Sequence, residues 1–261
     1  MTEKAPQLPA IPADLTPEDR ASVIRDLAKR HADADTGLMR AINSVGGAIE
    51  TPLKRLPQST QDQLQRVVRA GLEQAYKGAA ASERAAGPLS SWQTTGLAVV
   101  SGAGAGALGP VGYGEIPLTI TLIFREIRAV ARSYGFDPED EVIKQVCLSV
   151  FASGGPLPED DGVDSALISA RVALSGPGLT SLLNKVSARL AQAIAQKMGA
   201  QTIPVLGALG GGAVNYAFMR YYTAMAHVTF GLRRLAMDGS PGEVTAEFRR
   251  ALALPQVSDK T

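Results

Sequence analysis

The chain has 261 residues, 45% of them apolar and 5% aromatic, and alanine with glycine supplies about a quarter of it. That apolar content excludes a disordered chain, and a lone cysteine excludes a disulfide scaffold. Lys+Arg at 26 against Asp+Glu at 25 leaves a net charge of +1, which proposes no nucleic acid as partner.

Residues 1–15 contain Pro6, Pro9 and Pro12 and no apolar run behind a basic start, so they read as a flexible leader rather than a targeting signal. Cys147 has no second cysteine to pair with and fits a reducing, cytoplasmic setting. Thr16-Pro17-Glu18-Asp19 offers an N-cap, a proline at the first helical position and acids in the first turn, which predicts a helix to Arg30 or beyond. After Pro57, Leu64, Val67, Val68, Leu72, Ala75 and Ala79 recur at helical spacing, with Gln61, Asp62, Gln65, Arg66, Arg69 and Glu73 on the wet side. Gly87 to Gly96 reads as a connection.

A glycine-dense run follows, and then Ile116, Ile120, Ile123, Phe124, Ile127, Val130, Ala131 and Tyr134 form a helical stripe that ends at Gly135. Asp137-Pro138-Glu139-Asp140 repeats the cap chemistry of the first helix and predicts the start of the next, which Gly154 and Gly155 stop. An acidic loop over 159–164, a helix over 165–174 and another from Thr180 or Ser181 to Gly199 come next. The last long helix runs from Pro204 to Gly239, and Pro241 restarts a short closing helix to Leu252. No sustained alternation of period two appears. The expected fold is all-α: a leader (1–15), one multi-helix domain (16–252) and a flexible tail (253–261).

Two blocks lack any formal charge, one between Arg84 and Glu115 and one between Lys197 and Arg220. Length alone would allow each to span a membrane. Their Leu and Val are scattered among Gly, Ala, Ser and Thr, and the mean hydropathy of the chain is +0.04, so both read as buried helices packed in the core. Residues 104–109, GAGALG, match a dinucleotide-binding pattern, and the preceding LAVV resembles a strand. Pro110, Gly112, Gly114 and Pro117 break the helix such a loop must open. No cofactor is expected. Two histidines and one cysteine, with no ligand spacing, give no metal site. No catalytic motif is present.

Glu115 and Arg220 stand out by their isolation. If both blocks are buried, each ion needs a partner. Either Glu115 caps the helix starting at Ile116 while Arg220 pairs locally, or the two face an internal cavity that holds a polar group or lipid headgroup. Arg125 and the buried-latch candidate Asn215, with its neighbour Tyr216, complete the residues that could line such a pocket. Arg125, Arg128 and Arg132 share one helix face, which reads as solvated; Arg128 and Arg132, with Arg233 and Arg234, are candidates for surface phosphate contacts, and Arg249 and Arg250 extend that second cluster. His227, among Met225, Val228 and Phe230, reads as a core histidine bonded to a backbone carbonyl.

The stretch from Gly112 to Gly155, GYGEIPLTITLIFREIRAVARSYGFDPEDEVIKQVCLSVFASGG, resembles the EcsC protein family. A second stretch from Ile203 to Ala236 is similar to it as well, and the resemblance covers residues 20–240. It implies a bacterial, helical, Gly- and Ala-rich protein whose family takes its name from a gene beside an ABC-transporter operon, and it implies no catalytic residues. The expectation is a non-enzymatic protein, cytoplasmic or peripheral to the inner membrane. Its partner would be an apolar or lipid-like ligand, an anionic membrane surface or a transporter-linked complex. A lipid- or peptide-directed hydrolase using Glu115 is the alternative, and a soluble structural or sensor protein is another.

Overall fold

The computed structural model describes residues 11, 15–34, 58–87, 89–107, 116–153 and 204–253, and every element among them is an α-helix. In chain order these are α1 (Pro17–Ala34), α2 (Gln58–Ala86), α3 (Ser91–Ala107), α4 (Ile116–Ser133), α5 (Glu141–Ser153), α6 (Pro204–Met237) and α7 (Pro241–Ala253). The described part of the chain is all-α, as its periodicities require. The acidic stretch 159–164, the helices expected over 165–174 and 180–199, the tail from 254 and the side chains of Leu64, Val67 and Val68 lie outside the described residues. Ile11, inside the stretch read as a leader, is buried in the core cluster.

Local chemistry sets the helix ends. Thr16 caps α1: its Oγ1 accepts from the Asp19 amide at 3.2 Å and donates to the Asp19 carboxylate at 2.7 Å. Ser90 and Gln93 start α3 as a capping box, with the Gln93 Oε1 accepting from both the amide and the hydroxyl of Ser90 at 2.9 Å. A helix therefore begins inside the segment expected as a connection, and LAVV is helical. α4 ends in a Schellman motif at Gly135, whose φ of +82° needs a residue without a Cβ. There the Phe136 amide donates to the Ala131 carbonyl at 3.0 Å and the Gly135 amide to the Arg132 carbonyl at 2.9 Å. α5 starts three residues later than its sequence suggests. Asp137 closes a turn by accepting from the Glu139 amide, and Asp140 is the true cap, 2.7 Å from the Val142 amide.

α6 is the centre of the bundle and packs against α1, α3, α4, α5 and α7. Its longest pairing is with α3, the other Gly/Ala-rich helix. Side-chain contacts fix the directions. Thr119 meets Asn215 and Tyr134 meets His227, so α4 and α6 run parallel. Ala98 joins the same Asn215 while Ser91 meets Glu126, so α3 is antiparallel to both. Small residues on both sides let two backbones approach closely, which offsets the poor helix propensity of glycine. At the other end of α6, α1 crosses so closely that a Cβ on Gly231 would lie 2.9 Å from the methyls of the fully buried Leu27.

His227 lies where α1, the end of α4 and α6 meet. It bonds a side chain rather than the backbone carbonyl expected: the Tyr134 hydroxyl is 3.2 Å from its Nδ1. Burial, and then the nearby charge of Arg30, lowers its pKa to about 4. The unfolded chain takes up the proton near pH 6.5, before the folded one does, so the stability from this site is present above pH 6.5 and lost as pH falls toward 4. Chemical denaturation at pH 7 and pH 4.5 should show His227→Leu losing about 2 kcal/mol less than the wild type over that interval. Equal slopes would mean that His227 is not buried neutral.

Candidate functional site

The arginine face of α4 is not solvated. Arg128 is 0% exposed and Arg125 4%, because the end of α2 and the turn before α5 cover them. Arg128 Nη2 lies 3.1 Å from Glu83 and 2.6 Å from Glu139, and its guanidinium sits over the Tyr76 ring at 4.8 Å. Burial works against its charge, but the two carboxylates outweigh it and hold its pKa above the ordinary value. As a surface phosphate contact Arg128 is therefore ruled out. Arg132, half exposed, reaches the same Glu83 at 2.5 Å.

Arg125 donates to the Ser82 hydroxyl at 2.8 Å and to the Gly87 carbonyl just past the end of α2. The next residue, Glu126, is 4% exposed and accepts from Ser91 Oγ at 2.6 Å, in the first turn of α3. Adjacent residues of α4 thus set a cation at one helix C-terminus and a carboxyl at the next N-terminus, each the sign the helix dipole favours. Burial raises the Glu126 pKa, and the Ser91 hydrogen bond only partly opposes this. Sequence reasoning did not name Tyr76, Ser82, Glu83 or Ser91. The signal was a glutamate embedded in an alanine run, GAAASERAA, ahead of three arginines at helical spacing.

Asn215 is the buried latch expected. Its Nδ2 donates to the Ala98 carbonyl at 2.8 Å and to Thr119 Oγ1 at 3.2 Å, tying α3 and α4 to α6 at one point. Tyr216 and Arg220 are exposed, with the guanidinium of Arg220 6.0 Å from the Tyr216 ring centroid. Arg220 thus stands at the surface rather than in an internal cavity. Glu115, its suggested counterpart, lies outside the described residues. Arg233 is 9% exposed and over the Phe136 ring, and burial lowers its pKa; Arg234 is held by Asp238 at 2.9 Å. Neither offers a free surface cation. Arg249 and Arg250 are exposed on α7.

Cys147 is fully buried beside Tyr76, and burial pushes its thiol up to about 12, so it is no nucleophile. Among the described residues no group of His, Cys, Asp or Glu could hold a metal ion. Large apolar side chains do reach solvent, and they concentrate near the Asn215 junction: Trp92 (74% exposed), Leu97 (51%) and Val100 (72%) on α3, Leu118 on α4 and Tyr216 on α6. α3 has no charged residue on any side. A helix of that composition is ordinarily buried all round.

The shared carboxylate of Glu83 makes a direct prediction. Glu83→Ala removes the more buried of the two carboxylates that hold the fully buried Arg128 and should lower the unfolding free energy by about 3 kcal/mol, whereas Arg132→Ala, which breaks an exposed pair, should cost less than about 1 kcal/mol. Urea titrations of both variants check this; similar small losses would show that Arg128 does not depend on Glu83.

Comparison with known proteins agrees with the sequence resemblance. No curated relative and no solved structure matches the chain. The family model of the EcsC protein family matches residues 39–235, which take in α2 to α5 and nearly all of α6. The chain belongs to the EcsC protein family.

Proposed function

We propose that this EcsC-family protein is a non-enzymatic docking protein that works at or near the bacterial inner membrane, meeting an apolar, lipid-like surface with the outer face of α3. One observation carries the reading. α3 spends its inner face on α6 and α4, yet its outer face presents Trp92, Leu97 and Val100 with no charge among them. An ordinary solvent face would carry Lys, Glu or Arg, and an exposed apolar patch marks an interaction surface. Tryptophan suits a boundary between water and apolar material, where its ring is buried and its N–H stays wet. No described helix is long and apolar enough to cross a membrane; in this reading the contact is peripheral because the exposed apolar residues lie on one face of α3. The charges inside the fold, Arg125, Glu126 and Arg128, are occupied in holding helices together and need no substrate.

Trp92 is the sole tryptophan of the chain, so its emission reports on this face directly. Adding phospholipid vesicles should shift the emission to the blue, and the protein should float with the vesicles at about 0.5 M salt, where exposed charge contacts are largely screened. Val100→Asp should weaken binding about tenfold or more while leaving the circular dichroism of the helices unchanged. Emission that stays fixed with every vesicle composition sinks the reading.

A further inference from the structure

Arg220 is the only formal charge between Met198 and Leu232, and the Ala98–Asn215 contact sets it at the height along the bundle at which α3 exposes its apolar face. With Ala98 pinned to Asn215 and α3 antiparallel to α6, Tyr216 stands level with Leu97 and Arg220 level with Gln93, one residue from Trp92. Both side chains are exposed, and among the described residues no carboxylate lies within ion-pair distance of Arg220; its recorded contact is the Tyr216 ring at 6.0 Å. Four of the other arginines predicted to meet phosphate differ. Arg128 and Arg132 share Glu83, Arg233 is buried, and Arg234 is held by Asp238.

We infer that Tyr216 and Arg220 form a headgroup subsite that takes the phosphodiester of an anionic lipid while α3 enters the interface beside it; this rests on the docking reading above. The chemistry is complementary on both counts. A guanidinium supplies up to five N–H donors in a planar fork that matches two phosphate oxygens, and it is weakly hydrated enough to leave water for that contact. The tyrosine ring, its centroid 6.0 Å from the guanidinium carbon, belongs to the aromatic class found at headgroup depth. Among the described residues no carboxylate competes for this cation, so its charge is available to a phosphate. A protein partner would need an acidic residue facing Arg220 and an apolar groove for Trp92; a lipid surface meets both requirements with one molecule type.

Trp92 emission, titrated with vesicles of phosphatidylcholine alone and with about 30% phosphatidylglycerol, tests this. Wild type should bind the anionic vesicles about fivefold more tightly, the preference expected for one cation near a charged leaflet. Arg220→Gln should bind both compositions equally, at the wild-type affinity for phosphatidylcholine, and Arg220→Lys should keep most of the preference. Arg249→Gln with Arg250→Gln, on α7, should leave it unchanged. A preference that survives Arg220→Gln, or that vanishes with the α7 pair, overturns the subsite and leaves the docking reading intact. Wild type that ignores both vesicle types overturns the docking reading, and the subsite with it.

Discussion

The antiparallel pairing of α3 with α6 is the constraint from which the rest of the structure follows. Two helices rich in Gly and Ala give little hydrophobic area per residue, so they must approach closely to gain enough contact. Close approach in turn excludes charges from the seam, since a desolvated ion without a partner would cost more than the packing returns. The amide of Asn215 closes the junction, and its position fixes the register of three helices. Charge exclusion explains the inner face of α3 but not the outer one. Trp92, Leu97 and Val100 extend apolar character beyond what the seam requires.

The charges that α4 carries into the interior are all committed, and Arg233 of α6 lies buried over the Phe136 ring. Arg128 is enclosed by Glu83, Glu139 and the Tyr76 ring, while Arg125 and Glu126 address opposite ends of two consecutive helices. Such a cluster specifies how α2, α3 and α4 meet more than it adds net stability, because desolvation consumes much of the Coulomb gain. α4 is thereby a bracket: its apolar residues face the core, and its ions position the α2–α3 connection from which Trp92 emerges.

Much of the fold was legible in the sequence because helix ends follow local rules. Thr16, Gly135 and Pro241 act within a few residues of themselves, and periodicity alone locates α4. Two boundaries were misread for a physical reason. Gly96 and the Ser/Thr run around it look like a linker, but the Ser90–Gln93 capping box and the partnership with α6 stabilise a helix there. Asp137-Pro138 has the form of a cap, yet the turn it makes supplies the Pro138 carbonyl to Tyr76 and Arg128, and the helix waits for Asp140. The candidate site was less legible. Asn215 among apolar neighbours was recognisable as a buried amide, whereas Arg128 looked like a surface residue because Glu83 lies 45 positions away. Trp92 drew no notice, since exposure is decided by which face a partner helix leaves free.

Peripheral docking through α3 is tested most directly by the depth at which Trp92 comes to rest. Vesicles carrying lipids brominated at successive acyl positions quench a nearby indole according to its distance from the bromines. Quenching is expected, strongest for bromines nearest the headgroup and fading toward the bilayer centre, with a matching loss of access for aqueous iodide. Emission that stays unquenched by every brominated lipid and fully open to iodide would contradict it.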